Sequence, residues 1–517
     1  SRFESSNSTL SWQIAPPEGL YDFYVGYRSP FGEKGYGLDV GDQSASGFLD
    51  QSNAFAQDFV GQFFLDGATT QVDVQPGWGW YEIDYLEVRR SQPREALPVQ
   101  PTLNHPNPTA RTRFLMEYLT EHYGEQTLFA QQREFGRTSG DQIYPPSYLQ
   151  LTGGIQPALL GSDLINYSHS RWTRYDERRN ETERVINWAQ QTGGIPSMMW
   201  HWNAPSGLID QPGQEWWRGF YTNATTFDIA QAMANPNSND YALLMRDIDE
   251  IAVELKKFQA ADIPVLWRPL HEAQGGWFWW GAEGAEPLKQ LWRVLHDRLT
   301  NQHGLDNLIW VYTYIGDDAS DTDWYPGDDV VDIVGIDIYG SSGDSMAGQW
   351  SALLDQFDGD KLLALTETGA LPPDEVHEQF GVDWRWTMPW SEQFLRDNHT
   401  PAEVQQILAD ENLIDLSELP QMPWQIVPGA VPGDFDGDGD ADADDYAVWR
   451  FHYELQSSTP ADANGDGVVD AADYTAWRDA TAAASANGAV APEPSALASL
   501  GVALLAALRG RPLRSAP

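Results

Sequence analysis

The sequence predicts an α/β protein: a (β/α)8 TIM barrel, preceded by a β-sandwich module and followed by a small all-α domain built on acidic loops. Three observations predict it. Residues 109–432 alternate eight short apolar runs with helical stretches, as a parallel barrel requires. Residues 1–92 are rich in Gly, aromatic and β-branched residues and alternate in the strand manner. Residues 433–480 repeat an acidic loop and a helical stretch: Asp434 and Asp462, Tyr446 and Tyr474, and Trp449 and Trp477 each stand 28 residues apart.

The module's clearest strands are Gly19–Tyr27 and Trp80–Val88. Residues 93–108 are Pro-rich and read as a stiff linker. The barrel strands fall at Thr127–Gln131, Gly154–Leu160, Ile195–Trp202, Pro264–His271, Asn307–Tyr314, Val330–Tyr339, Lys361–Glu367 and Asp383–Trp390. Helical stretches such as Tyr241–Gln259 and Pro287–Asn301 lie between them. An open doubly wound sheet is the alternative, but no glycine-rich nucleotide loop follows a strand. Residues 481–517 read as an Ala/Gly/Ser linker and a tail.

Composition narrows the function. Among 517 residues, 31 Lys and Arg face 76 Asp and Glu, a formal net charge of −45. Such a surface argues against nucleic acid and anionic lipid as partners and suits a neutral substrate. There is no cysteine, so no disulfide and no thiol nucleophile. The chain opens at Ser1 without an apolar leader and reads as a fragment or mature form.

Two predicted strands end in glutamate, at His271-Glu272 and at Leu365-Thr366-Glu367. In a barrel, catalytic groups sit at such ends, and burying an unpaired carboxylate merely for packing is costly. Two carboxylates are what glycoside hydrolysis needs: one protonates the leaving oxygen, and the other attacks the anomeric carbon or activates water. Glu272 is followed by Gly275-Gly-Trp277-Phe-Trp279-Trp280-Gly281, and tryptophan faces stack on sugar rings. Arg268 and His271 stand ready to bond sugar hydroxyls or to fix a carboxylate.

The run from Arg268-Pro-Leu-His271-Glu272 to Trp280-Gly281 resembles the signature of glycoside hydrolase family 26, mostly endo-β-1,4-mannanases. Trp200-His201, Asp337-Ile-Tyr339-Gly and Ala364-Leu-Thr-Glu367-Thr-Gly resemble its other strand ends, in the expected order over about residues 109–430. The resemblance implies a retaining double displacement with Glu272 as acid/base and Glu367 as nucleophile, their carboxyls about 5–5.5 Å apart. It implies that Tyr339 orients Glu367, that His201 and His271 contact the sugar, and that one of Trp384, Trp386 and Trp390 is a sugar platform, here taken as Trp390. Arg268, Trp277 and Trp280 complete the expected substrate-binding set. The implied substrates are mannan, glucomannan and galactomannan, with no catalytic cofactor. The family also admits β-1,3-xylan and mixed-linkage β-glucan. A non-catalytic carbohydrate-binding surface protein is the reading from another class.

In the module, Gly77-Trp78-Gly79-Trp80 leading into Ile83-Asp84-Tyr85 resembles the last strand of carbohydrate-binding module family 35. The family's opening strands are not found after Ser1, so the module reads as N-terminally truncated, with Trp78, Trp80 and Asp84 as its site.

The repeats place oxygen ligands for a hard cation such as Ca²⁺ at Asp434, Asp436, Asp438, Asp440, Asp442 and Asp445. The second set is Asp462, Asn464, Asp466, Val468, Asp470 and Asp473. This pair of loops resembles a dockerin, which implies structural Ca²⁺ and a cohesin-like partner. Pro492-Glu493-Pro494, the apolar run Ala496–Leu508 and the Arg-bearing end resemble a PEP-CTERM sorting signal, which implies a secreted or cell-surface protein of a bacterial envelope. The catalytic chain is expected to be a monomer.

Overall fold

The computed structural model describes residues 2–3, 8–41, 43–133, 143–174, 180–316, 319, 321–340, 342–373, 375–425, 433–435, 441–453, 461, 463 and 468–485. Residues 1–425 form one compact unit and residues 426–517 a second.

Eight strands build the N-terminal module: β1 (Arg2–Phe3), β2 (Leu10–Ile14), β3 (Gly19–Ser29), β4 (Lys34–Val40), β5 (Gln43–Leu49), β6 (Ser52–Leu65), β7 (Thr70–Pro76) and β8 (Tyr81–Arg90). They form two antiparallel sheets, ordered β1-β8-β3-β6 and β2-β7-β4-β5. Alternation decides which side chains fill the space between them: Tyr36, Leu38 and Val40 of β4 turn inward with Phe23, Val72 and Val74.

The module does not hang free. Leu20 belongs to the barrel's core cluster and Phe64 packs against it. The segment read as a stiff spacer is tied down along the barrel. The amide of Leu97 donates to Asp358 (2.8 Å), that of Asn104 donates to Asp332 (2.7 Å), and Arg94 pairs with Asp355 and Asp358. Proline leaves a segment stiff but does not keep it off a surface that offers carboxylate acceptors.

The barrel strands are β9 (Thr127–Gln132), β10 (Leu159–Asp163), β11 (Ile195–Trp200), β12 (Val265–Pro269), β13 (Leu308–Ile315), β14 (Ile333–Ile338), β15 (Leu362–Thr368) and β16 (Trp386–Pro389). All pair in parallel, and β16 and β10 both pair with β9, closing the ring. Residues such as Leu308–Ile315 are buried throughout, because helices cover the outer face of a parallel sheet. β10 begins later than the run from Gly154 suggested. Gly153 and Gly154 take positive φ (68° and 94°), and Pro157 has no N–H for a ladder. The long helix Asn239–Ala260 starts where the Ser238 side chain accepts from the amide of Tyr241.

The described residues of the second unit include the helices Ala443–His452 and Ala471–Ser485. The repeat shows in its bonds: the Trp449 indole donates to the carbonyl of Asp470 (2.9 Å), and the Trp477 indole to that of Asp442 (2.5 Å). The second helix runs to Ser485, past the expected start of the linker, as its alanines favour. The rest of the predicted tail lies outside the described residues. Among those described, no helix is long and apolar enough to cross a membrane.

Leu20→Ala removes a side chain that joins module to barrel. The expected loss is about 2–3 kcal/mol of unfolding free energy, read by denaturant titration of the whole chain.

Candidate active site

β12 delivers the first half of the site. After Pro269 the chain turns through Leu270 and Glu272, both non-glycine residues at positive φ (52° and 53°). Each such residue costs on the order of 1–3 kcal/mol and persists only where its surroundings over-determine it. The turn lifts Glu272 out of the strand as a half-buried carboxyl. The Trp277 indole donates to its Oε2 at 2.9 Å. Burial and the nearby Glu367 push the Glu272 pKa up to about 7.

β15 delivers the other half. The β14–β15 ladder shifts register so that Asp337 stands opposite Glu367 and skips Thr366. A bulge of this kind re-aims side chains next to active sites. Here Thr366 Oγ1 turns to donate to Asp337 Oδ1 at 2.6 Å. Arg268, reaching across from β12, donates to Asp337 Oδ2 (2.9 Å) and to Glu367 Oε1. The Tyr339 hydroxyl donates to Glu367 Oε2 at 2.6 Å. Arg268, Asp337 and Glu367 are all nearly fully buried.

Burial disfavours the charge on Arg268, but Asp337 and Glu367 more than offset it and its pKa is raised. Burial drives the Asp337 pKa upward against the pull of Arg268. Oxygens of Glu272, Asp337 and Glu367 lie within 4.8 Å of one another. Three carboxylates so close could in principle hold a cation. Here each oxygen of Asp337 and Glu367 already accepts from a donor, with a guanidinium between them, so the set suits proton transfer and nucleophilic attack.

His201 follows β11. Its ring Nδ1 lies 2.6 Å from Asp163 Oδ2, and its amide donates to Asp163 Oδ1 (3.0 Å). Its Nε2 lies 3.3 Å from Nε2 of His271. His271 was expected at the sugar, yet it is 1% exposed, and burial, with help from Arg268, drives its pKa down, so the ring is neutral. Trp280 is likewise no platform. It is fully buried, stacks on Phe278 and donates to the carbonyl of His271 (2.9 Å). The Gly-Gly-Trp-Phe-Trp-Trp run thus divides: Trp277 faces solvent beside Glu272, while Trp279 and Trp280 pack. Arg268 also touches no solvent and acts on the carboxylates. Of the three C-terminal tryptophans, Trp384 and Trp386 are buried, and Trp390 stands half-buried with its ring 5.8 Å from His201.

Asp163 and Asp337 were not singled out from the sequence, although an acid closing an apolar run was the available signal in both Leu159–Asp163 and Ile333–Ile338. In the module, Trp78, Trp80 and Asp84 are all exposed. The Trp78 ring lies on Gly35 in the β2-β7-β4-β5 sheet, and Asp84 sits on β8 in the other. In the second unit, Asp445 is buried and accepts from the amides of Asp442 (2.6 Å) and Phe435 (2.5 Å). Its counterpart Asp473 accepts from Asp470 (2.8 Å). Asp434, Asp442 and Val468 are also described. Asp436, Asp438, Asp440, Asp462, Asn464 and Asp466 lie outside the described residues.

Residues 104–412 match glycosyl hydrolase family 26, and residues 1–91 match carbohydrate binding module family 35. The chain is 36% identical over 421 residues to a mannan endo-1,4-beta-mannosidase of Thermothelomyces thermophilus, covering 81% of this chain and 84% of that one. It is 30% identical over 429 residues to mannan endo-1,4-beta-mannosidase B of Piromyces sp, covering 81% and 72%. A crystal structure of the Podospora anserina GH26-CBM35 beta-(1,4)-mannanase superposes with a TM-score of 0.62 at 38% identity, covering 82% of this chain and 92% of that one.

Two substitutions separate support from chemistry. Arg268→Met leaves Asp337 and Glu367 as uncompensated buried charges and is expected to cost about 3–5 kcal/mol of stability. Tyr339→Phe removes one donor to Glu367 and is expected to keep the melting temperature while lowering the hydrolytic kcat about 100-fold.

Proposed function

The chain belongs to glycosyl hydrolase family 26, and from that premise we propose that it is a retaining endo-β-1,4-mannanase acting on mannan, glucomannan or galactomannan. The observation that carries this reading is the facing pair Glu272 and Glu367, with oxygens within 4.8 Å. Retaining enzymes hold their carboxyls about 5–5.5 Å apart, and inverting enzymes about 6.5–9.5 Å to leave room for water. The names of the relatives supply the substrate class.

In this mechanism protonated Glu272 gives its proton to the glycosidic oxygen while Glu367 attacks the anomeric carbon. The bond to the leaving sugar breaks and a glycosyl ester forms on Glu367. Glu272, now a carboxylate, takes a proton from water, and that water displaces Glu367. Arg268 and Tyr339 donate to Glu367 and aim it, and Asp337 holds Arg268. Exposed Trp277 beside Glu272 and half-buried Trp390 beside His201 offer ring surface to a sugar. The module raises the local concentration of polymer.

The same reading puts the enzyme outside the cell, since a polymer is cut where it lies. It also assigns structural Ca²⁺ to the C-terminal repeats and a cohesin-like partner to that unit. The repeated pairs Asp442/Asp445 and Asp470/Asp473, each drawn together by a bond from backbone to carboxylate, support a metal-loop origin.

Three measurements test this. Wild-type protein should release short manno-oligosaccharides from linear β-mannan and galactomannan, and Glu367→Ala should release none. Release only from β-1,3-xylan or mixed-linkage β-glucan overturns the substrate. The acid must be protonated, so kcat/KM should fall as pH rises through about 7. Glu272→Ala should lose that fall on aryl mannosides with good leaving groups. Chelation by EGTA should abolish the thermal transition of the C-terminal unit, and added calcium should restore it.

A further inference from the structure

The outer face of the β2-β7-β4-β5 sheet carries two glycines, of which packing within the chain accounts for only one. β4 is an interior strand, yet its outward positions 35 and 37 are both glycine. Glycine inside a strand weakens it and marks the close approach of a ligand or another segment. At Gly35 the approach is visible, because a Cβ there would stand 2.9 Å from the Trp78 ring. At Gly37 no described residue comes within 4 Å of that position, and φ is not positive. An open floor therefore lies two residues from an aromatic platform.

The walls are polar. Ser46 of β5 and Gln75 of β7 flank Gly37, and Asp39 is next along β4 on the same face. Gln75 Nε2 donates to Asp39 Oδ2 at 2.6 Å, which fixes both side chains. Phe48, 62% exposed, stands beside Trp78, its ring 6.0 Å away and tilted by 51°, so that the two rings form an angled aromatic corner. The outward residues described on these four strands include two aspartates, three glutamines and three serines, but no Lys, Arg or His. An anionic ligand would meet carboxylates without a cation. A neutral sugar chain offers hydroxyls to the amides and acids and an apolar ring face to the tryptophan.

We propose that this sheet face is a binding track for a neutral β-linked polysaccharide, with Trp78 and Phe48 stacking one sugar, Gly37 as the floor beneath the next, and Asp39, Gln75 and Ser46 bonding its hydroxyls. The choice of β-mannan as that chain rests on the mannanase reading; the track itself does not. Only Trp78 of the three residues expected in the module belongs to it.

Affinity electrophoresis of the full chain tests the track, using Glu367→Ala protein so that the probe is not digested. The gels contain glucomannan, β-1,3-xylan or mixed-linkage β-glucan, with polygalacturonate as an anionic comparison. Gly37→Phe fills the floor and Trp78→Ala removes the platform. Each should raise the apparent dissociation constant for glucomannan about tenfold or more, with polygalacturonate giving no retardation of any protein. Unchanged retardation of Gly37→Phe overturns the proposal, as does stronger retardation by polygalacturonate. If Gly37→Phe does not fold, the exposed pair Asp39→Ala and Gln75→Ala reads the same face, and full affinity there overturns it equally. Hydrolysis by the wild type is scored separately. If mannan is not cut but a neutral polymer retards the parent and Gly37→Phe abolishes the effect, the mannanase reading fails and the track stands.

Discussion

The buried guanidinium of Arg268 is the constraint around which the site is arranged. It lies between Asp337 and Glu367 and donates to both. Without it the floor of the barrel mouth would hold clustered carboxylates with no countercharge, which no packing energy of ordinary size offsets. With it, Glu367 has a countercharge in a dry place, while burial first and the nearby Glu367 second push the pKa of Glu272, farther out and half-buried, up to about 7. The two carboxyls thus sit in different surroundings, one held by a buried guanidinium and a phenol, the other raised by burial.

The register shift between β14 and β15 belongs to the same arrangement. A straight ladder would not place Asp337 opposite Glu367 with Thr366 freed to donate to it. Left-handed Leu270 and Glu272 are a second local departure, and the tightly packed tryptophans behind them hold that turn in place. Both irregularities fall at the carboxylates, where strain is part of positioning.

Much of this was legible in the sequence. Apolar runs located seven of the eight barrel strands and reached only the start of β10, because parallel strands are covered on both faces and read as unbroken hydrophobic stretches. Glutamates closing two such runs pointed to the carboxyl pair. What the sequence hid was depth. His271 and Trp280 stand in the right neighbourhood, but one-dimensional order does not say which aromatic faces the cleft and which packs behind it. Asp163 was overlooked because β10 was placed several residues early, so its terminal acid fell in a supposed loop. In the module, the sequence did not show that the Trp78 ring lies on Gly35 of β4 while Asp84 sits on β8 of the other sheet. The Pro-rich segment read as a spacer because composition shows stiffness but not the acceptors waiting on a neighbouring surface.

The crossed indoles of the C-terminal unit make its two repeats depend on each other. Trp449 reaches the carbonyl of the second repeat and Trp477 that of the first. A lone repeat would carry an indole with no carbonyl to meet and a carbonyl with no indole, so the smallest self-sufficient set is two. Because both halves lie on one chain, their meeting is intramolecular and does not depend on protein concentration.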